Sequence, residues 1–577
     1  MSDAPAADPL TTRYREALLA HQRGDLVQAL DGYQAVVAQA PDHADAWFLL
    51  GQARQAQGDF PAAETALKAA CKLRPVPHFL CSLGRLLQAT GQAVLAEAYF
   101  RNALGQDPAD PAAYECLAAL YQAQGLDDKA AVVLRELLAL NPDHAVAYND
   151  LGGILFRQGR TGEALTAYRQ ACQLHPDCAE FHYNLANTLR AQGQFDLAEG
   201  GYLQALALAP KAEQTNILFN MAKMLEEAGR PAEAELVYRR VVEQAPLFFE
   251  AQWNLALLLL RQGKYEDGWR HYDCRHHPDW AEGQVFQPAW PFPEWQGQLL
   301  AGKTLLLQAE QGWGDMVQFI RYAEVLKGMG VARLSFCGDR RLHELFRTNP
   351  YLDVLYGPDE AVPSHDYWAL PMSLPRWCRT TLDNIPAALP YLASLPERRA
   401  HWQSRLQLRL PNSDQGDVLR VGLVWRGNPG HENDAHRSLP GLAALVPLWS
   451  VPGVAFVSLQ VGEGEAEALA APPEQTLVAL GQDFQDFADT AAVVDQLDLL
   501  ISVDTATAHV AAALGRPCWL LLAKGKFDWR WLYDRDDSPW YPGVMRLFRQ
   551  AVAGDWTEPI ARVQVVLGRM AAERASR

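Results

Sequence analysis

No stretch of this 577-residue chain approaches the roughly 20 consecutive apolar residues that a membrane-crossing helix requires, so no membrane span is expected. The opening residues, MSDAPAADPLTTRYREA, lack the basic start and apolar core of a secretory signal. Positive charge is also short. Fifty-one Lys+Arg against 68 Asp+Glu give a net charge of −17, which speaks against a general nucleic-acid or anionic-membrane surface. The nine cysteines, scattered from Cys71 to Cys518, are odd in number and contain no C-x-x-C pair. That usage suits buried thiols in a reducing compartment, and the expected location is cytoplasmic. What the chain does have is length and apolar content: 577 residues, 49% hydrophobic and 10% aromatic, are too many for one domain and ample for at least two packed cores.

The first half is punctuated by a period of about 34 residues. Glycines stand at Gly24, Gly58, Gly91, Gly125, Gly159, Gly193, Gly229 and Gly263, and a proline closes each unit from Pro41 to Pro246. Five residues after each glycine comes a small residue (Ala29, Ala63, Ala96, Ala130, Ala164, Ala198, Ala234, Gly268). Four further on stands a large one (Tyr33, Leu67, Phe100, Leu134, Tyr168, Tyr202, Tyr238, Tyr272). Each unit therefore reads as two antiparallel helices: glycine turns the chain, the small residue lets the helices approach, the large one fills the gap, and proline ends the second helix. This resembles the tetratricopeptide repeat, in eight units over about residues 10 to 275. Stacked units form a superhelix that binds extended peptides or partner proteins along its inner face. One inner-face column carries Asp150, Asn184, Asn220 and Asn254, spaced by about one repeat, where the earlier units have Arg15, Leu49, Ser82 and Cys116. A row of amides can hydrogen-bond a peptide backbone without reading its side chains. It resembles the asparagine ladder of O-linked N-acetylglucosamine transferases, and these four residues are the expected acceptor contacts on the repeats, the bland alternative being that small polar residues are simply tolerated there.

Between His276 and Ala301 the repeat stops in a Pro- and Trp-rich segment carrying Trp280, Trp290 and Trp295, which reads as an extended strap packed by its rings. His276, His277 and Asp279 do not make a metal site, because adjacent histidines point apart and no further ligand pattern follows. From Lys303 strands and helices alternate. Strands are expected at Lys303–Gln308, Ala332–Cys337, Asp353–Leu355, Tyr367–Leu370, Leu419–Trp425, Val454–Leu459, Asp498–Val503 and Cys518–Leu522. Met316, Phe319, Ile320, Ala323 and Leu326 mark one face of a helix after the Gly-containing loop Ala309–Asp315. The run Leu499–Ala523 forms a βαβ unit: a buried strand, a turn at Asp504-Thr505-Ala506, an Ala-rich helix, then Gly515-Arg516-Pro517 and a second strand. In such sheets ligands bind beyond the carboxyl ends of the strands, and a helix starting there offers free N–H groups to a phosphate. On spacing alone, Asp504 to His509 reads equally as a helix cap with a core histidine. Two consecutive α/β halves with a cleft between them are expected.

Three segments of this second half resemble glycosyltransferases of the heptosyltransferase type, over roughly residues 300 to 565. They are the Gly314-Asp315 turn, VGLVWRGNPGHENDAHRSLP at 421–440, and SVDTATAHVAAALGRP at 502–517. The resemblance implies an α solenoid (1–275) and a connecting strap (276–301), then a GT-B domain of two Rossmann-like lobes, at 302–415 on the acceptor side and 416–577 on the donor side. It implies Asp315 as general base, the bland alternative being a helix N-cap. It implies donor contacts from Arg426, Asn428, Arg437, Ser438, Asp504, Thr505, Ala506 and His509, the alternative for the arginines being surface salt bridges. Gln311 and Trp313 are acceptor-side candidates in the Asp315 loop. Trp529, Arg530 and Asp534 are expected at the cleft rim, or else closing the sheet edge. The resemblance implies a nucleotide-sugar as co-substrate; no D-x-D motif follows a strand, which is consistent with metal independence, and no metal or other cofactor is expected. Heptosyltransferases lack such a repeat array, so the expected acceptor is the Ser/Thr hydroxyl of a protein, with flagellin as the named candidate. A non-catalytic repeat scaffold and a transferase acting on a saccharide or lipid carrier are the alternatives.

Overall fold

All eight periodic glycines adopt the left-handed backbone region, with φ between +70° and +85°, where a side chain would be strained. Each turns one helix back against the next. Sixteen helices result among the described residues, from Pro9–Gln22 and Leu26–Gln39 to Phe249–Arg261 and Tyr265–Tyr272. Asp25, Asp59 and Asp110 cap helix starts by accepting backbone N–H bonds. The small residues Ala29, Ala63, Ala96, Ala130, Ala164, Ala198 and Ala234 have no exposed surface, and the large residues from Tyr33 to Tyr272 are all buried. Several of the large side chains lie over a glycine of the partner helix: a Cβ on Gly84 would fall 2.3 Å from the Phe100 ring, and one on Gly152 2.9 Å from Tyr168. Each buried ring contributes about 1.5–3 kcal/mol. The repetition is a repeated packing solution.

The computed structural model describes residues 9–280, 288–409, 418–431, 433–472, 476–525 and 527–576. The chain divides into two compact units, Met1–Met224 and Leu225–Arg577, so the last repeat helices belong to the C-terminal unit. Residues 281–287 of the expected strap and the expected lobe boundary at 415/416 lie outside the described residues.

Among the described residues of the C-terminal unit, ten strands form two parallel sheets. The first runs in the order β3-β2-β1-β4, with β1 Thr304–Gln308, β2 Arg333–Cys337, β3 Val354–Tyr356 and β4 Tyr367–Ala369. The second runs β10-β9-β8-β5-β6-β7, with β5 Leu419–Val424, β6 Val454–Ser458, β7 Leu477–Ala479, β8 Leu499–Val503, β9 Cys518–Leu522 and β10 Met545–Arg549. Central strands such as β8 and β9 are buried at every position, which is why they read as unbroken apolar runs. The edge strands β7 and β10 were not expected. β7 has three half-buried residues, and β10 reads MRLFR with an exposed Arg546, so neither carries a clear pattern. The single helix expected after β1 is two, Trp313–Phe319 and Tyr322–Gly328. At the break Arg321 turns its Nε–H onto the Gln318 carbonyl (2.8 Å).

The strap covers an edge. Trp295 N–H donates to the Trp368 carbonyl (2.7 Å) and Trp368 N–H to that of Pro293 (3.0 Å), so Glu294 bridges the outer side of β4. Trp290 stacks on Phe292, and Trp280 on Phe249. Leu260, Tyr265, Trp269 and Tyr272 of the last repeat share one apolar cluster with Leu305 and Leu307 of β1 and with Leu500 and Leu520 of the second sheet. Among the described residues no helix is long and apolar enough to cross a membrane.

Candidate functional site

Strand order reverses between β1 and β4 in the first sheet and between β5 and β8 in the second. At such switch points neighbouring loops diverge and leave a crevice beyond the carboxyl ends of the strands. The loop after β1 leads to Asp315, that after β5 to Arg437, and that after β8 to Asp504. The β1 and β8 loops meet directly. A Cβ on Gly314 would lie 2.9 Å from His509 Cδ2 and 3.3 Å from Ala506 Cα, so the helices beginning at Trp313 and Ala506 are in van der Waals contact at their N-termini. The expected cleft is closed at this point.

Charge is concentrated there. Asp315 is the third residue of its helix, not its N-cap, and its Oδ2 accepts the Gly312 N–H (3.0 Å). Its other oxygen forms an ion pair with Arg530, whose Nη1 stands 2.7 Å from Asp528. Burial raises the Asp315 carboxyl above its ordinary value, and Arg530 partly offsets this. Burial also works against the charge of Arg530, but Asp528 and Asp315 keep it protonated. Asp504 Oδ2 accepts from the Trp531 indole (2.8 Å). Burial, with Asp528 adding, raises Asp504 to about 6. His509 is 4% exposed, bonded through Nδ1 to the Tyr541 hydroxyl (2.8 Å) and stacked on Trp531; burial holds its imidazole neutral. Three carboxylates and one arginine thus share a small, poorly solvated volume. A preorganised positive group beside a carboxylate of raised basicity is suited to proton abstraction next to an anionic ligand.

The other expected residues divide. Arg437 is near enough to act on Asp504; its Nε is bound by Asp434 (3.1 Å), whose same oxygen takes the Ser438 hydroxyl (2.9 Å). Ser438 in turn accepts the Gly427 N–H (2.8 Å), which closes the loop into a clip. Asn428 is exposed and turns its own loop by accepting from Gly430 N–H. Arg426 is drawn elsewhere, to Glu467 (2.9 Å), Glu463 (3.5 Å) and the Pro440 carbonyl. Thr505 is the N-cap residue of the helix Ala506–Ala513, and its hydroxyl bonds Ser502 (3.0 Å). Gln311 is exposed with φ +52°, a strained conformation of the kind found at functional loops. Trp313 is held between Arg341, 4.1 Å over its ring, and Phe487, with its indole N–H on Asp339. Trp529 and Arg530 are not at a rim: both are buried, Trp529 edge-on to Trp269 of the last repeat, while Asp534 is exposed at φ +52°.

Three of the expected ladder residues, Asp150, Asn184 and Asn220, are engaged by neighbours. Asn184 donates to Asn149 Oδ1 (2.9 Å), and Asn149 lies against Asp150 and Glu180. Asn220 donates to the Tyr183 hydroxyl (2.8 Å) and accepts from Arg190. Asn254, in the C-terminal unit, is half-buried. Asn149 was not foreseen, because it stands one residue out of the periodic column. Nor were Glu310, Arg275 and Asp528. Glu310 is 6% exposed, accepts the Met372 N–H (2.8 Å) and faces Arg275 at 3.8 Å. Its one sequence signal was its place in the loop after β1. Among the described residues no cluster of His, Cys, Asp or Glu could hold a metal ion.

Models of the tetratricopeptide repeat match residues 14–78 and 177–246, and a TPR repeat model matches 152–193. Protein FlbA of Caulobacter vibrioides is 32% identical over 343 residues, 56% of this chain and 55% of that protein. The chain spans about half the length of this curated relative. Among solved structures, the thermophilic TPR protein TTC0263 of Thermus thermophilus is 29% identical, matching 32% of this chain and 100% of its own with a TM-score of 0.27. The pilF protein of Pseudomonas aeruginosa is 17% identical, matching 37% and 96% with a TM-score of 0.33. The chain has an N-terminal helical solenoid with tetratricopeptide repeats, followed by a C-terminal region of parallel sheets.

Proposed function

We propose that the C-terminal region is a GT-B glycosyltransferase that moves a sugar from a nucleotide-sugar to Ser or Thr hydroxyls of a protein bound by the repeats, flagellin being the candidate acceptor. The observation that carries this reading is the contact of Gly314, the residue before Asp315, with the N-terminus of the helix Ala506–Ala513, beside Arg530 and Arg437, at the switch points of two parallel sheets. In this reading Asp315 removes the proton of the acceptor hydroxyl as the oxygen attacks the anomeric carbon. In this reading donor binding parts Gly314 from Ala506, and the leaving diphosphate is received by the first N–H groups after Thr505 and by Arg437. Arg530 has a second role here: an arriving diphosphate competes with Asp315 for its guanidinium, so donor binding frees the base. His509, neutral and fixed by Tyr541 and Trp531, shapes the floor under the donor. No metal is needed for the leaving group in this scheme.

The test is donor hydrolysis and thermal stabilisation with a panel of UDP-, GDP-, ADP- and CMP-sugars, using wild type, Asp315→Asn and Arg437→Ala. One donor should stabilise the protein by mass action. Asp315→Asn should lower turnover by about 10²–10⁴ with binding retained, while Arg437→Ala should mainly weaken binding. A second reading, a non-catalytic scaffold, is favoured by the engagement of both Asp315 oxygens by Gly312 and Arg530. Absence of binding by every donor would select it.

A further inference from the structure

Arg321 is a buried charge that the proposed chemistry does not use. It stands between the helices Trp313–Phe319 and Tyr322–Gly328, and its guanidinium lies 4.6 Å over the Tyr391 ring and 4.5 Å over the Tyr541 ring. Its N–H groups reach the carbonyls of Gln318 (2.8 Å), Pro386 (3.4 Å) and Trp540 and the Tyr391 hydroxyl (3.0 Å). The Tyr391 hydroxyl gives its own proton to the Val317 carbonyl (3.0 Å). A cation held at so many points fixes Tyr541 from its ring face. The far end of Tyr541 is the hydroxyl that meets His509 Nδ1 at 2.8 Å. The opposite edge of the imidazole faces the place where the two loops meet. There Nε2 lies 3.9 Å from Asp504 Oδ1, and a Cβ on Gly314 would fall 2.9 Å from Cδ2, the atom bonded to Nε2.

We propose that Arg321 is a positioning residue that, through Tyr541, fixes His509 as the neutral tautomer whose Nε2–H faces the junction of the Asp315 and Asp504 loops. Which nitrogen of a histidine carries the proton is set by the bond that the other one makes. The Tyr541 hydroxyl has one proton to give. Its competing acceptor, the Tyr391 oxygen, already takes an Arg321 N–H, and a phenol oxygen is a far weaker base than an imidazole nitrogen, so the proton goes to Nδ1. Nε2 then bears the ring's own proton. The reverse arrangement would turn a bare Nε2 lone pair toward the Asp504 carboxylate. The charged groups around the ring are Asp504, Arg530 and Arg321, and burial together with the two arginines disfavours the imidazolium. A fixed neutral N–H can hydrogen-bond a phosphate or sugar oxygen of the donor without drawing Asp315 or Asp504 into an ion pair. This ligand-facing role rests on the transferase reading, whereas the tautomer and its dependence on Arg321 do not.

The experiment is a long-range proton–nitrogen correlation spectrum of the deuterated full chain carrying nitrogen-15 histidine, recorded from about pH 5 to 8, with His509 assigned by His509→Gln. Wild type should show His509 as a single Nε2–H tautomer that does not titrate. Arg321→Gln, which keeps a polar donor but no charge, should release the ring into averaging between both tautomers. Arg321→Lys, which returns a cation to the face of Tyr541, should recover part of the single form. Where a nucleotide-sugar of the panel binds, Arg321→Gln should weaken it about ten-fold, the loss of one well-placed hydrogen bond. Wild-type His509 found as Nδ1–H, averaged or titrating overturns the proposal without reference to any variant, and so does an Arg321→Gln spectrum in which His509 is unchanged. If no nucleotide-sugar binds, the transferase reading falls while the His509 spectrum still decides the part of Arg321.

Discussion

The repeats and the α/β region handle charge in opposite ways. Along the repeats, ion pairs such as Arg157–Asp127 and Arg160–Glu163 are solvent-exposed, and the interior is filled by alanine, leucine and rings over glycine. In the C-terminal unit Arg275, Arg321 and Arg530 are each 4% exposed or less. Arg321 has no carboxylate partner among the described residues. It bonds the carbonyls of Gln318, Pro386 and Trp540 and the Tyr391 hydroxyl, between the faces of Tyr391 and Tyr541. Burying an ion pair seldom adds stability over apolar packing, so buried charge marks positions kept for another reason. The repeats keep their charge at the surface, and the α/β region buries part of its own.

The sharpest way to break this comparison is Gly481→Ala. The added Cβ would fall 1.8 Å from the Gln460 carbonyl, and the Gln460 side chain holds the N–H groups of Trp425 and Arg426. The C-terminal unit should fail to fold while the repeats retain their helical circular dichroism. A single shared loss of signal would show that the two units do not fold separately. Next comes Arg530→Met, which strands Asp315 and Asp528 and should cost about 3–5 kcal/mol in chemical denaturation. Adding Asp315→Asn should recover part of that loss, and strict additivity would mean that the pair is not coupled. In the repeats Gly84→Ala forces the Phe100 ring aside and should cost about 1–3 kcal/mol, relieved when Phe100 is shortened to Leu.

The last test concerns pH. Asp504 is raised to about 6, above its unfolded value of about 3.9. The proton it holds therefore stabilises the fold fully below about pH 4, and that contribution is lost as pH rises through about 6. Asp504→Asn keeps an acceptor for Trp531 and has nothing to titrate. The Tm of wild type minus that of the variant should fall between about pH 4 and 7; a flat difference would place Asp504 in a solvated setting.

Much of the molecule was legible because its signals are local. The turn glycines, the close-packing alanines and the covering rings recur at fixed spacing, and each constrains residues within one helical pair. Strands β1, β5, β8 and β9 read as apolar runs because both faces are covered, while β7 and β10 lack a pattern because edges are half solvated. At the site, Asp315, Arg437 and Asp504 were marked by resemblance, but Arg426 is held by Glu467 in the kind of salt bridge that was its alternative, and Arg530, expected at a rim or closing the sheet edge, is buried against Asp315.

The chain's own order therefore determined the repeat and the two runs of parallel strands, since those depend on periodicity and on burial averaged over a few residues. Only the tertiary structure decided that Arg530 reaches Asp315 across more than 200 residues, that Trp531 takes Asp504, and that Tyr541 fixes His509. Those contacts are made by single side chains from loops far apart in sequence. No period carries such information, because the pairing energy depends on where the loops end in space.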